Sequence, residues 1–468
     1  MARGARMSAG FSMRLSGVAL VFNAPPPAAS VGDPLLTGVS TDSRSVSAGQ
    51  LFVALSGENF DGHAFVARAD EQGAAAALVS RPVADAGIPQ ILVPDTRLAL
   101  GHLAQVWRQR FAIPVLALTG SNGKTTVKEM LRSIFIAHLG DPDAVLVTEG
   151  NLNNDIGVPQ MMLRLNANHR TAIFELGMNH LNEIDYLTRL VEPDVALVIM
   201  AGTAHIGELG SREAIAQAKG EIYGGLKSDG IAVVNMHDRF GTYWRGLAGN
   251  HRVISFGVSP DDDVLGTFGP APDSALTIAF KGTEIEVRLQ VLGNHNQRNA
   301  LAASAGAIAL GVPLPAIKAG LEAFHAVAGR LQIFRGHNSA TIIDDTYNAN
   351  PDSVKAAIAV LARLPSPRIL VLGDMGELGL DAAAMHTEIG TSARAAGIDS
   401  LCATGDLMRD AVRAFGNGAE HFPEIEALVN AIKPRLTANT HVLVKGSRFM
   451  KMERVVAQLV ANYHGAVH

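Results

Sequence analysis

The sequence predicts an α/β protein of three domains, with a central doubly wound, mainly parallel sheet. Three observations carry that prediction. Apolar runs of strand length alternate with alanine-rich helical stretches along most of the chain, as in parallel sheets covered by helices. The chain has 468 residues, more than one hydrophobic core supports, so about two to three domains are expected. One strand-like run, "VLALTG" at 115–120, leads through a glycine-bearing loop into a helix.

The composition is that of a globular protein, 48% hydrophobic and 18% charged. Lys+Arg 39 against Asp+Glu 44 leaves a net charge of −5, which implies no basic face for nucleic acid. A single cysteine, Cys402, rules out a disulfide framework and fits a reducing compartment. No apolar run reaches the ~18 residues of a membrane span. The stretch Phe11–Val21 behind the basic start is broken by Ser12, Arg14, Ser16 and Gly17, so no signal segment is read there. A cytoplasmic protein without membrane insertion is expected. The extension before Leu15 suggests no role.

Taken in order, the first domain (1–110) should hold strands at Gln50–Leu55, Ala76–Val79 and Gln90–Val93, then a helix from Leu98 to Arg110. Ile113-Pro114 opens the middle domain (111–328). Its strands are expected at Val115–Thr119, Val145–Thr148, Thr171–Leu176, Val195–Met200 and Ile231–Asn235. A β-rich piece with turns follows from Val253 to Leu292, in which 256–275 reads as solvated loop. A helix is expected over Asn299–Leu310. After Gly329-Arg330 the third domain (329–468) shows strands near Thr341–Asp344, Arg368–Gly373, Ser400–Thr404 and His441–Lys445.

Chemistry concentrates at Gly120-Ser121-Asn122-Gly123-Lys124-Thr125-Thr126. Backbone N–H groups of a glycine loop at a helix N-terminus point at an anion, and the helix dipole adds to this. Lys124 brings positive charge to β/γ phosphates, and Thr125 offers a hydroxyl to Mg²⁺. The alternative, a glycine turn with a solvated lysine, sits poorly between an apolar strand and a helix. The usual phosphate loop has one more glycine, where this chain has Leu118.

Glu175 ends the run "TAIFE", and a carboxylate at a strand's carboxyl end points into the ligand crevice of a doubly wound sheet. There it suits Mg²⁺; standing alone it would read as a surface glutamate. His205 follows the next strand, which brings it towards the same crevice, although a lone loop histidine is more often structural. Lys219, in "AIAQAKGEIY", reads in isolation as an ordinary helical lysine.

The ordered set TGSNGKTT, GNLNNDIGVP (150–159), FELGM, AHIGELGS, AQAKGEI, GNHNQRNALAA (293–303) and AGR (328–330) resembles the Mur ligases. These are ATP-dependent amide-forming enzymes of peptidoglycan precursor synthesis. Their phosphate loop lacks the first glycine, which accounts for Leu118. The resemblance runs from about Leu35 to the C-terminus. It implies an α/β N-terminal domain for the UDP-linked substrate, a central ATP-binding domain and a Rossmann-like C-terminal domain. The segments DDTYNANPDS (344–353), VLGDMGELG (371–379) and LVKGSRFMKMERVV (443–456) resemble the D-alanyl-D-alanine-adding branch, and no DNPR-like segment for reading diaminopimelate is present. The implied substrates are ATP, UDP-N-acetylmuramoyl-tripeptide and D-alanyl-D-alanine, joined through an acyl phosphate. The third residue of the tripeptide, diaminopimelate or lysine, stays open, and a monomer is expected. The rivals are another ligase of the superfamily and a phosphate-loop switch protein that hydrolyses ATP without an acceptor.

The resemblance assigns catalysis to Lys124, Glu175, His205, Lys219 and Arg330. One Mg²⁺ would sit at Thr125 and Glu175, a second between Glu175, His205 and a carbamate on Lys219. Asn296 and Asn299, with His295 beside them, would meet the nucleotide; Asn299 at a helix start also reads as an N-cap. Arg330 would reach the γ-phosphate when the third domain closes, and Asp345 the ribose. Tyr347, Asn348 and Asn350 would line the nucleotide or second-substrate side, with Pro351 fixing the turn. Ser40, Thr41, Asp42, Ser43 and Arg44 are candidates for uracil and diphosphate, and "STDS" also reads as a capped turn. Asn153 and Asn154 are candidates for the muramoyl-peptide, and Lys445, Gly446 and Ser447 for the dipeptide carboxylate.

Overall fold

Runs that are apolar at every position become strands buried on both faces. In Val115–Thr119 every residue is 0% exposed, the environment of a central parallel strand. The computed structural model describes residues 10–28, 32–57, 60–269 and 275–461. Residues 1–9 of the basic extension and 270–274 of the 256–275 loop lie outside them.

The central sheet has nine strands. In spatial order they are Val145–Val147, Thr171–Glu175, Val115–Thr119, Val195–Val198, Ile231–Asn235, Arg252–Gly257, Val264–Phe268, Ala275–Phe280 and Thr283–Arg288. The first seven run parallel and the last two pair antiparallel. The chain leaves Val115–Thr119 towards one edge, then crosses to its other side at Val195–Val198. The loop after Thr119 therefore opens at the switch point of the sheet, where doubly wound folds bind ligands.

The helices Lys124–Leu139 and Asn294–Ala309 cover one face of this sheet. Gly140 closes the first in the left-handed region (φ 72°). The helix Leu314–Ala323 crosses it at Gly320, where a β-carbon would lie 2.3 Å from the Cα of Ile134. Gly320→Ala is expected to cost about 1–3 kcal/mol, read as a fall in Tm. An unchanged Tm would contradict the close approach.

The first domain holds a four-stranded parallel sheet, in the order Val39–Ser40, Leu51–Val53, Ala76–Val79 and Gln90–Leu92. Helix Thr96–Arg108 leaves it, capped by the Asp95 carboxylate, and packs into a core shared with the middle domain. The third domain has a six-stranded sheet, in the order Gln332–Arg335, Thr341–Asp345, His441–Lys445, Arg368–Gly373, Ser400–Thr404 and Ala419–Phe422. Only its first strand is antiparallel.

Three expectations need correction. The helix expected from Asn299 starts at Asn294, so Asn299 is interior and Gly293 (φ 95°) is the N-cap. Its first turns are polar, yet Asn296, Gln297 and Asn299 are all buried: Asn299 packs on Gly123 of the phosphate loop, Asn296 bonds the Leu292 carbonyl, and Gln297 bonds the Ala275 carbonyl. Val264–Phe268, expected as loop, is a strand, and the β-rich piece continues the central sheet. The helix expected at Leu98 begins at Thr96, because the Asp95 side chain takes up the N–H groups of Arg97 and Leu98.

Candidate active site

The loop after Thr119 turns through Gly123 in the left-handed region (φ 83°) and feeds the helix Lys124–Leu139. A β-carbon on Gly123 would lie 2.4 Å from Oδ1 of Asn299, so both backbone angle and space demand glycine. Gly123→Ala is expected to abolish nucleotide binding while leaving the remote cores folded. ATP affinity close to wild type, measured by calorimetry, would sink that reading.

The Lys124 ammonium donates to the carbonyl of Gly120 at 2.7 Å, folded back over the loop it serves. Burial lowers its pKa from the ordinary lysine value; the Glu175 carboxylate opposes the drop and Arg330 adds to it. Thr125 Oγ1 donates to Glu175 Oε2 at 3.1 Å and accepts from Arg330 Nη2 at 3.1 Å. Glu175 is 2% exposed. Its other oxygen accepts from Asn153 Nδ2 at 2.9 Å, and its backbone N–H donates to Thr148 Oγ1 at 2.9 Å. Asn153, expected at the muramoyl-peptide, is thus a clamp on the Glu175 carboxylate here. Asn154 instead caps the start of the next helix, accepting from Gly157 N at 2.8 Å.

Beside the loop lies a cavity of about 390 Å³, lined by Asn122, Gly123, His295, Asn296, Asn299, Arg330 and Asp345. Asn299 Nδ2 donates to Asn296 Oδ1 at 3.2 Å, and Asn296 Nδ2 donates to the carbonyl of Leu292 at 2.8 Å. Burial pushes the His295 imidazole down to about 4, so it is neutral at physiological pH. A larger cleft of about 1070 Å³ opens on the other side, lined by Ser121, Lys124, Thr125, Asn153, Asn154, Glu175, His205, Arg330, Tyr347, Asn348, Asn350 and Ser447. The two cavities meet at Asn122, Gly123 and Arg330.

The third domain is bonded to the phosphate loop. Asn350 Nδ2 donates to Asn122 Oδ1 at 2.8 Å, and Asn122 Nδ2 donates back at 3.4 Å. Asn350 also caps the helix Pro351–Leu361 with a capping box, Pro351 taking the first helical position. In that helix's first turn, Asp352 accepts from Thr203 N at 2.8 Å and faces Arg212 Nη2 at 3.1 Å. Arg330 lies 4.2 Å over the ring of Tyr347, a cation–π contact that holds the guanidinium at the domain junction.

His205 lies in the left-handed region (φ 63°), its Nδ1 2.9 Å from Oε2 of Glu377. The His205 contact holds the Glu377 carboxyl below its ordinary pKa. Sequence reasoning missed Glu377 as a site residue; its only trace was the segment VLGDMGELG. Lys219, near the end of helix Arg212–Gly220, is 1% exposed. Among the described residues its ammonium has no hydrogen-bond or ion-pair partner. Burial drives its pKa well below that of free lysine, and the Lys124 charge adds to the drop.

Two sets of expected residues are placed differently. Ser40–Arg44 line neither cavity. Ser40 Oγ accepts from Asp42 N at 3.2 Å and Asp42 pairs with Arg44 at 2.7 Å, the capped-turn alternative. Thr41 accepts from Gln160 of the middle domain at 2.7 Å, and Ser43 is buried. Lys445 is 3% exposed, with Nζ 2.7 Å from Asp345 Oδ2 and donating to the carbonyl of Asn348 at 2.9 Å. Its charge is neutralised within the domain, and so is that of Asp345. Ser447 Oγ accepts from Gly376 N at 2.7 Å and donates to the carbonyl of Ala349 at 3.2 Å, so it too is committed.

Comparison with known proteins agrees with this architecture. Family models match at residues 35–108 (Mur ligase family, catalytic domain), 118–307 (Mur ligase middle domain) and 329–448 (Mur ligase, glutamate ligase domain). The chain is 42% identical over 427 residues to the UDP-N-acetylmuramoyl-tripeptide–D-alanyl-D-alanine ligase of Haemophilus influenzae, covering 90% of this chain and 93% of that one. It is similar to the crystal structure of MurF from Acinetobacter baumannii, with TM-score 0.86, 39% identity and 97% of each chain covered. It is also similar to MurF ligase from Thermotoga maritima in complex with ADP, with TM-score 0.78, 26% identity, and 90% of this chain and 96% of that one covered. Three matched domains in order, and a phosphate loop bridged to the third of them, establish that the chain belongs to the Mur ligase family.

Proposed function

We propose that this chain uses ATP to join D-alanyl-D-alanine to UDP-N-acetylmuramoyl-tripeptide, giving the pentapeptide, ADP and phosphate in the cytoplasm. The observation that carries this is the Thr125 hydroxyl, bonded to Glu175 within the middle domain and to Arg330 at the junction with the third. A hydrolase needs only a phosphate loop and water. A ligase needs the loop to be completed by a second domain that holds the acceptor. The relatives' names supply the substrates, and the separate sheets support domain limits near 110 and 328.

The difficulty for such a reaction is charge, because an anionic carboxylate must approach an anionic phosphate. Lys124 and Arg330 supply fixed positive charge there, in a site where preorganised electrostatics act strongly. The γ-phosphoryl group passes from ADP's oxygen to the tripeptide carboxylate. The dipeptide amine then attacks the acyl carbon, and phosphate leaves with the C–O bond broken.

Thr125 and Glu175 present oxygen donors of the kind Mg²⁺ takes. Bound there, Mg²⁺ would neutralise charge on the transferring phosphoryl group. A second ion needs more than Glu175 and His205; among the described residues no group of three or more His, Cys, Asp or Glu side chains is assembled. A carbamate on Lys219 would add the missing oxygen ligand. A buried lysine without a partner favours the neutral amine. That amine adds to carbon dioxide, forming an N–C bond and losing a proton.

The test is phosphate release with ATP, Mg²⁺, nucleotide tripeptide and dipeptide, omitting each in turn. Release that requires both the tripeptide and the dipeptide supports the ligase. Release indifferent to the dipeptide would make the chain another ligase or an ATPase.

A further inference from the structure

Lys128 lies one turn beyond Lys124 on the helix Lys124–Leu139, and its side chain is 2% exposed. A buried ammonium is costly unless its donors are answered. Its Nζ lies 3.0 Å from Oε1 of Glu129, a pair within one helix that ties nothing else down. The same Nζ donates to the carbonyl of Thr148 at 2.6 Å. That bond leaves the helix. It joins the element that presents Lys124 and Thr125 to the end of the edge strand Val145–Val147.

Thr148 is 0% exposed. Its N–H donates to the carbonyl of Ile173 at 3.1 Å, continuing the parallel ladder with Thr171–Glu175. The next rung of such a ladder would run from the Glu175 N–H to the Thr148 carbonyl. Here the Thr148 hydroxyl accepts the Glu175 N–H at 2.9 Å, and the carbonyl is given to Lys128. The chain beyond Thr148 carries Asn153, whose Nδ2 donates to Glu175 Oε1 at 2.9 Å. Both the backbone and the carboxylate of Glu175 are therefore held by the segment that Lys128 anchors. Lys128 itself lines neither cavity, so it reaches the site only through Thr148.

We propose that Lys128 is a positioning residue: by holding the Thr148 carbonyl it fixes the strand end at Glu175, and with it the Thr125–Glu175 oxygen pair that would take Mg²⁺. This rests on the ligase reading above only for the metal at that pair.

The experiment measures ADP affinity by calorimetry, with Mg²⁺ and with EDTA, for the wild-type enzyme, K128M, T148V and T148S. Wild type should bind ADP more tightly with Mg²⁺ than with EDTA. K128M should lose about 10-fold or more of that gain, the usual cost of removing an outer-shell partner of a metal ligand, with affinity in EDTA little changed. T148V, which lacks the hydroxyl that takes the Glu175 N–H, should show the same loss. T148S keeps the hydroxyl and should behave as wild type. In phosphate release, K128M should need about 10-fold more Mg²⁺ for half its maximal rate. A K128M enzyme with a lower Tm and the wild-type response to Mg²⁺ overturns the assignment, because the lysine then serves the fold alone. So does a T148V enzyme with the wild-type response, a result that stands even if K128M fails to fold. Wild-type ADP affinity that ignores Mg²⁺ removes the metal from Thr125 and Glu175, and this assignment with it. Phosphate release by wild type that ignores the dipeptide would overturn the ligase reading and leave the part played by Lys128 standing.

Discussion

Lys219→Ala is expected to lower kcat about a thousandfold, with thermal stability kept or raised. The lost activity corresponds to about 4 kcal/mol of transition-state stabilisation, a scale that metal-ion charge neutralisation reaches. The stability expectation follows from burial. Lys219 is 1% exposed, with no partner for its ammonium among the described residues, so alanine removes an uncompensated polar group. Acetate or formate should then restore part of the rate by replacing the carbamate oxygens. Full activity in the alanine variant would remove Lys219 from the mechanism. Loss of activity without rescue would count against the carbamate and leave the ligase reading intact.

Much of the fold is legible because parallel strands buried on both faces leave an unbroken apolar run. Val115–Thr119, Ile231–Asn235, Arg368–Gly373, Ser400–Thr404 and His441–Lys445 all announce themselves in this way. The phosphate loop is legible for a related reason, since its glycines, lysine and threonine sit together in sequence. A strand beside a charged turn is harder to read, even inside the sheet. Val264–Phe268 lies next to the run of acidic residues at 261–263, which disguises it as loop. Residues that act across domains left almost no local trace. His205 and Glu377 meet from separate sheets, and neither sequence neighbourhood names the other. Lys445 looked like a free cation because its partner, Asp345, lies a hundred positions away in sequence. Pairing of that kind becomes visible only when adjacent strands bring the two ends together.

Arg330→Ala should keep ATP affinity within a few-fold of wild type and lower kcat by about a hundred- to a thousandfold, the usual cost of removing one preorganised donor. The guanidinium bonds the Thr125 hydroxyl and rests on Tyr347, so it touches the phosphate side of the loop from the domain junction. Asn296 and Asn299, proposed to meet the base, are held by bonds to each other and to the Leu292 carbonyl, although Arg330 lines the same cavity. Calorimetric titration of ATP and single-turnover phosphate release would separate the two effects. A variant with normal kcat would show that Arg330 serves the fold alone. Arg330→Lys should recover little, because an ammonium cannot both stack on the ring and donate in a fixed plane.

The paired amides of Asn122 and Asn350 tie nucleotide affinity to the position of the third domain. Coupling of this kind is reciprocal: a ligand that draws the third domain onto the loop tightens nucleotide binding by the same factor that nucleotide tightens the domain. The same bonds then oppose departure of the spent nucleotide. Weakening the amide pair should therefore speed ADP release while loosening ATP, a trade that sets an upper limit on how firmly such an enzyme can hold its own closed form.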